Sequence, residues 1–541
     1  VVGGFFLIAR MGWAPRRGAL VVIMLAILAY ALLTGARPPV VRAAVLAELM
    51  CLALWQGRQV LAMNSLAAAA IVVLTINPCE LFRTGAQLSF LAAATLISFG
   101  RWQLSVRSRL DPMTRLLRSV EPAPVKLIRS AAASSWTIFL ATVFVWIVAA
   151  PIMSYRLNLL SPVAMPISVA VFPLVSASVL SGLVLLALEL VFPPLAPLAA
   201  AFCGASTGLL DSIIDHSTEG CLFVPGPQLW WVLSAYALMF IGLCWGVRRW
   251  LARVLTYAGL TLVIAGFGPP LAAELVSRRE PAPLRCTFIA VGHGVSVLIQ
   301  TPQGGAFLYD AGSLGSPWLA TDRISSVLWQ RGVRRLDGVF LSHADVDHFN
   351  GLPGLIERFA VAGVYTSHQT FPRTLLDEEH TAPAELARLL QAQDIPVHRL
   401  ALGDRVDLGG ATAEVLFPTL AGVIDSDNAN SLVIGIESAG KRVLLPGDLE
   451  GRGLEDLLLQ EPYPATVLLA PHHGSPRYDP PGFARWSTPK HVVVSSALGV
   501  SSSTANLSYQ AAGAQVYSTA KSGAITFTFS EPDARVETFC P

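Results

Sequence analysis

The chain has 541 residues, of which 53% are hydrophobic and only 14% charged, with a mean hydropathy of +0.56. Soluble domains carry about a quarter charged residues, so the composition excludes an ordinary soluble globular protein. The formal net charge of +2 singles out no partner class. Charge is also unevenly spread: long stretches before about residue 275 hold almost none, while the remainder resembles a normal globular domain. A membrane module at 1–275, a linker at 276–284 and a second domain at 285–541 is the simplest division.

The opening VVGGFFLIAR has no charged region followed by a cleavage site, which excludes a signal peptide, and reads as the tail of a membrane span. A helix needs about 20 apolar residues to cross a bilayer. The hydropathy pattern predicts spans at 19–35, 40–56, 60–76, 86–100, 133–153, 195–213, 229–247 and 253–273, with one long or two short proline-broken spans in 160–192. The expected count is eight to ten.

Basic residues in short loops mark the cytoplasmic side. The segment 101–130 holds Arg101, Arg107, Arg109, Arg115, Arg118, Lys126 and Arg129, and the turn after 247 holds Arg248, Arg249 and Arg253. Both are expected inside, which puts the C-terminal domain on the extracytoplasmic face. Among the polar residues within spans, Arg42, Asn64 and Gln87 are candidates to line a channel, with helix packing the commoner role for any one of them.

Of the seven cysteines, four lie in apolar segments, where Cys acts as a small hydrophobe, and no Cys-x-x-Cys spacing points to zinc. Cys286 and Cys540 leave room for a bridge in an oxidising compartment.

From Arg285 onward, short apolar strands alternate with amphipathic helices: CTFIAV, VSVLIQ, AFLYDAG, GVFLS, SLVIGI, RVLLPGD, TVLLAP and HVVVSS. Several end in Asp, Gly or His, which sets functional groups on loops held by a rigid sheet. The densest cluster follows GVFLS. His343, Asp345, Asp347 and His348 fall within six positions, a spacing that lets His343 and Asp345 grip one cation and Asp347 and His348 a second. Mixed imidazole and carboxylate ligands suit Zn²⁺ or Mn²⁺, the oxygen share favouring Mn²⁺. Asp310, Asp448 and the pair His472/His473 end other strands in the same way. A bare carboxylate at an apolar strand end is costly unless a cation holds it.

These elements, in this order, resemble the metallo-β-lactamase fold, an αββα sandwich. The resemblance implies that Asp448 bridges two metal ions, that His472 or His473 completes the second site, and that Asp310 supports the cluster without binding metal. Asp347 and Asp448 would then carry catalysis. A further His that many members place before the bridging Asp is missing. The stretch NANSLVIGI, with Asn430 and Ser431 as supporting residues, lies where that ligand loop would feed the next strand.

Across both halves the chain resembles the ComEC-type DNA-uptake channels of competent bacteria. YALLTGARPPVVRAAVLA and NPCELFRTGAQLSF carry the resemblance in the membrane half; HADVDHFNG, NSLVIGI, LLPGDLE and PHHGS carry it in the other. The family opens its soluble domain with a stretch like DVGQGD, where this chain reads AVGHGV, with Ala290 and Val295 in place of both acids. The resemblance implies an inner-membrane channel for an incoming DNA strand, with a nuclease that degrades the complement using two divalent ions. It further implies contact with membrane lipid, with receptor and motor proteins of the uptake machinery, and with further copies of the chain. Two other readings fit the same residues: a DNA channel whose metal domain only binds or gates, and an anchored metallohydrolase of a small ester.

Overall fold

The computed structural model describes residues 16–108, 122–217, 222–224, 226–245, 259, 261, 282–371, 381–475, 480–497, 503–530 and 534–540. The chain divides into two compact units, Val1–Gly266 and Phe267–Pro541.

The first unit is helical: α1 (Arg16–Leu33), α2 (Pro38–Trp55), α3 (Ala62–Ile76), α4 (Thr84–Ser108), α5 (Ala123–Arg156), α6 (Ala164–Val191), α7 (Ala196–Ser217) and α8 (Leu229–Trp245). Four helices among the described residues are long and apolar enough to cross a membrane, at 38–55, 124–156, 164–191 and 193–215. Shorter apolar helices cover 17–33, 62–76 and 229–241. The expected 86–100 span is part of the longer α4, which is not among the four. The stretch 160–192 is one helix. Pro173 lies inside it and removes a single backbone donor without ending it. The expected span at 1–9, that at 253–273 apart from residues 259 and 261, and Arg248, Arg249 and Arg253 lie outside the described residues. The basic segment 101–130 is less of a loop than its charges suggest, since α4 runs to Ser108 and α5 begins at Ala123.

Many large apolar side chains of this unit face outward, among them Leu33, Leu190 and Val191, which are more than three-quarters exposed. Water would penalise that surface by about 25 cal/mol per Å², whereas lipid tails would not. Polar contacts are kept inside. Arg42 on α2 pairs with Glu80 at 3.0 Å, both side chains 7% exposed, and its second nitrogen donates to the Gly85 carbonyl. Glu80 also meets Arg83 at 2.6 Å. Breaking such a buried pair by removing one partner strands the other charge, at about 3–5 kcal/mol.

The second unit is a sandwich of two sheets. Its strands are β1 (Arg285–Phe288), β2 (Val297–Gln300), β3 (Ala306–Tyr309), β4 (Gly338–Leu341), β5 (Val364–Ser367), β6 (Val397–Leu400), β7 (Arg405–Asp407), β8 (Thr412–Phe417), β9 (Val433–Ser438), β10 (Lys441–Leu445), β11 (Val467–Leu469), β12 (His491–Val494), β13 (Gln515–Ser518), β14 (Ile525–Phe529) and β15 (Ala534–Thr538). The first sheet has the order β6-β5-β4-β3-β2-β1-β14-β15 and the second β7-β8-β9-β10-β11-β12-β13. All eight apolar runs expected as strands are strands. The closing hairpin β14–β15 was not foreseen; it returns to pair with β1 and completes the first sheet.

Alternation along each strand builds the layers. Val443, Leu445, Val467, Leu469 and Val493 face Cys286, Phe288, Ile299, Phe307 and Phe527 between the sheets. Leu444, Leu468, Val492 and Val494 face the other way, onto Leu454, Leu457, Phe483 and Tyr509 of the helices 451–458, 480–487 and 503–511. Cys286 is buried there as a free thiol and Cys540 is free and exposed, so the two form no bridge.

The carboxyl ends of the parallel strands β3, β4, β10, β11 and β12 carry the loops of interest, as open α/β sheets generally arrange them. The two sheets meet closely at these ends. The Tyr309 hydroxyl donates to the Leu432 carbonyl at 2.8 Å, and the Leu432 amide donates to the Ser342 carbonyl. Gly447, after β10, has φ +60°, and an added Cβ would stand 2.7 Å from Ser342 Cβ. Gly447→Ala therefore combines left-handed strain with overpacking at the seam. It is expected to destabilise this unit by about 2–4 kcal/mol, measurable as a lowered denaturation midpoint, whereas Gly440→Ala, equally left-handed at φ +70° but with open space around it, is expected to show the strain alone.

Candidate metal centre

Asp310, the first residue after β3, adopts φ +56°, and His472 and His473 after β11 adopt +46° and +55°. Left-handed backbone at non-glycine residues is uncommon and strained, and such strain gathers at functional sites. Here it turns three polar side chains toward one another at the sheet seam.

The hydrogen bonds orient each ring. Asp310 is fully buried and accepts from the Ser342 amide at 2.7 Å and the Ser342 hydroxyl at 2.8 Å. The same carboxylate accepts from His348 Nδ1 at 2.8 Å. With its proton committed to Asp310, Ser342 Oγ accepts from His343 Nδ1 at 2.9 Å. His473 Nδ1 donates to the Ser495 carbonyl at 3.2 Å, and His472 Nδ1 to Glu450 at 2.8 Å. In all four imidazoles Nδ1 is spoken for, which assigns Nε2 as the atom left to face the centre. This is how ligand histidines are usually oriented.

The Nε2 atoms of His343, His348 and His473 and Oδ1 of Asp448 are buried without a hydrogen-bond partner. Orphaned buried polar atoms are rare and destabilising, and four converging on one space suit a divalent cation. The donor atoms fall into two groups, each with its atoms within 4.8 Å of one another: His343, His348 and Asp448, and His293, Asp347 and His473. Asp448 lies between them, 3.3 Å from His348 Nε2 and 3.4 Å from His473 Nε2. His473 Nε2 is also 3.6 Å from Asp347, while His472 Nε2 is 4.0 Å from Asp448 and its side chain is 23% exposed.

Of the expected pairings, His343 keeps Asp345 beside it, while Asp347 and His348 are parted into different groups. Residues 346–349 form a helical turn, so neighbours there project about 100° apart. His348 turns inward beside His343, and Asp347 turns toward His473. Asp345 borders the first group, 3.4 Å from His343 Nε2, and its side chain is half-exposed. Asn430 does not reach the cluster. It accepts from the Val423 amide and donates to the Val423 and Ser426 carbonyls, shaping its own loop. Ser431 is fully buried, its hydroxyl without a partner.

Sequence reasoning missed His293, which lies between Ala290 and Val295. Its flanking glycines were the available sign. Gly294 has φ +147° and room for no Cβ, since one would meet Ser313 Cα at 2.5 Å. That close approach carries His293 to His473, ring centroids 4.4 Å apart. The loop without the acids thus contributes an imidazole.

In the membrane unit, Arg42 is tied to Glu80, and Gln87 Nε2 donates to the Leu81 carbonyl at 2.9 Å. Asn64 is exposed on α3. The three are not gathered into one cluster by these contacts.

Burial opposes the charges at the seam, and neighbouring charges overcome it. The Asp448 and Asp310 carboxylates hold His348 well above the usual imidazole range, and His348 and His473 hold Asp448 far below the usual carboxylate range. For Asp347, burial is outweighed by the adjacent His473 ring and the His348 charge, which lower it. Without a cation, a proton on His348 takes the cation's place.

The raised His348 contributes stability fully present below about pH 6.5 and lost as pH rises through its folded value. The depressed Asp448 contributes stability present above about pH 4 and lost as pH falls through its folded value. A chelated sample is therefore expected to be most stable between about pH 4 and 6.5. Mn²⁺ at 100 times its Kd should add about 2.7 kcal/mol, most visibly once the pH exceeds the raised folded value of His348 and its proton no longer competes. Thermal melts across pH 4–9 with EDTA or Mn²⁺ check this, and Asp448→Ala should abolish the Mn²⁺ increment.

Residues 1–249 match the family model described as Competence protein, and residues 289–477 match that of the Metallo-beta-lactamase superfamily. ComE operon protein 3 of Bacillus subtilis is 24% identical over 525 residues, 91% of this chain and 61% of that protein. Competence protein ComA of Neisseria gonorrhoeae is 27% identical over 491 residues, 90% of this chain and 61% of that protein. The chain therefore spans about three-fifths of the length of these relatives. Among solved structures, CmlA, a diiron beta-hydroxylase from Streptomyces venezuelae, aligns with 46% of this chain and 55% of its own at 16% identity and a TM-score of 0.30. With a Competence domain followed by a metallo-β-lactamase domain, the chain matches a ComEC-type competence protein.

Proposed function

We propose that this protein is a membrane channel for DNA uptake whose second domain is a divalent-metal-dependent deoxyribonuclease. One observation carries the nuclease reading: four buried, unpartnered donor atoms at one seam, three of them on rings whose other nitrogens are already committed. His343, His348 and Asp448 would hold one cation and His293, Asp347 and His473 a second, with Asp448 shared. Mn²⁺ suits the oxygen-bearing donor set, and Zn²⁺ the imidazoles. Such ions, when bound, polarise a phosphoryl group and stabilise the leaving oxygen.

The chain's own groups supply the rest. Asp310 and Ser342 lock two rings before substrate arrives, so little is lost to reorganisation. Asp347, on the mouth of the site with a side chain 19% exposed, is the carboxylate best placed to take a proton from an attacking water. Asp345 and His472 are the more open flanks, which leaves room for a strand rather than a small ester.

The apolar helices and the competence resemblance support the channel reading. The basic residues Arg101, Lys126 and Arg129, at the ends of α4 and α5, support a cytoplasmic location for that end. The nuclease would then act outside, before one strand enters. Lipid, receptor and motor proteins and further copies of the chain are the partners this role implies.

Cleavage assays and a topology reporter test this. Purified protein with Mn²⁺ should cut DNA, Asp448→Ala should reduce cutting to background, and Asp310→Asn should slow it by about 10–100-fold. A metal-loaded protein that cuts neither single- nor double-stranded DNA would leave only a binding or gating role. A reporter fused after Pro541 should be active only outside the cytoplasm.

A further inference from the structure

On the outer face of the first sheet the side chains change character. β2 to β4 bury Leu298, Leu308 and Val339, as a helix-covered face should. The adjoining strands β1 and β14 bury Thr287 and Thr526 instead, 1% and 2% exposed, with their hydroxyls 3.1 Å apart. Arg331, at the end of the helix Pro317–Gln330, donates to the Thr526 hydroxyl at 2.7 Å. A buried polar floor with a guanidinium on it is a poor core and a good binding surface. A cavity of about 840 Å³ opens over it, within the ~300–1,000 Å³ usual for small-ligand sites.

Arg323 and Arg331 line this cavity, and the exposed ring of Phe539 stands at its wall. Its two carboxylates, Asp322 and Glu537, are each within 3.5 Å of another arginine, Arg358 and Arg535 respectively. Among the described residues no carboxylate forms an ion pair with Arg323 or Arg331. Burial and the nearby Arg285 charge, only partly offset by Glu537, hold Arg331 below its ordinary value, a tension that a bound anion relieves. The cavity also adjoins the metal centre along the chain. Gly292 lines it beside His293, and Ser496 lines it beside Ser495, the acceptor of His473 Nδ1. Arg323 donates to the Val291 carbonyl at 2.6 Å, on the loop that carries His293.

We propose that this cavity is a nucleotide subsite, in which Arg323, Arg331 and the threonine hydroxyls hold a phosphate and Phe539 stacks on its base. The inference rests on the nuclease reading in that the bound nucleotide would be a neighbour of the scissile one. Guanidinium–phosphate hydrogen bonds are charge-assisted and directional, and base stacking on an aromatic ring is tolerant of sequence, which suits a nuclease that must accept any strand.

Thymidine 5′-monophosphate binding to the full chain in detergent, with EDTA present so that no cation competes for the phosphate, tests the site. Saturable binding is expected, equal in wild type and Asp448→Ala. It should weaken about tenfold or more in Arg331→Gln and Arg323→Gln, and by about five- to tenfold in Phe539→Ala, a surface substitution that leaves the core intact. No binding, binding unmoved by these three substitutions, or inorganic phosphate binding as tightly as the nucleotide would overturn the assignment. Binding with the expected losses but no DNA cleavage with Mn²⁺ would keep the subsite and discard the nuclease. Cleavage with no nucleotide binding would do the reverse.

Discussion

Everything distinctive about the second domain follows from burying polar atoms where two sheets meet. Asp448 is 4% exposed and its Oδ1 has no hydrogen-bond partner. A carboxylate in that position is sustained only by positive charge, whether a proton on His348 or divalent cations. The requirement propagates outward. The rings must present Nε2, so Nδ1 must be held. Asp310, Ser342, the Ser495 carbonyl and Glu450 hold it. The backbone must then deliver those groups, and it does so through left-handed conformations at Asp310, His472 and His473 that would otherwise be unfavourable.

The same rule governs the membrane unit in a different solvent. There the apolar side chains turn outward and the ionic groups are drawn together, as with Arg42, Glu80 and Arg83. Arg42 shares Glu80 with Arg83, and its guanidinium ties α2 to the segment before α4 and to the first turn of α4.

The loss of acids at Ala290 and Val295 gains a concrete meaning. Val295 is packed in the layer between the sheets, and Ala290 lines the outer cavity. Between them Gly292 and Gly294 let the chain bring His293 against His473. The loop brings an imidazole to the cluster where the resemblance leads one to look for carboxylates.

The linear sequence was enough to determine the division into a membrane half and a sheet-rich half, because uncharged runs of helical length and short apolar runs ending in Asp or His are local patterns. It was also enough to name His343, Asp345, Asp347, His348, Asp448 and His473, since clustering and strand-end position are visible in order alone. Which atoms share a cation was not legible, for the groups are assembled from strand ends more than 100 residues apart and from a helical turn that sends Asp347 and His348 different ways. His293 escaped because a single histidine between glycines carries no signal until another strand end is brought beside it. Asn430 misled for the opposite reason: its position in the order suited a ligand loop, yet its side chain closes a local turn. Tertiary structure alone decides such cases, because a donor's role depends on whether its neighbours leave it unsatisfied and buried, and burial is a property of the packed sheets and not of the chain.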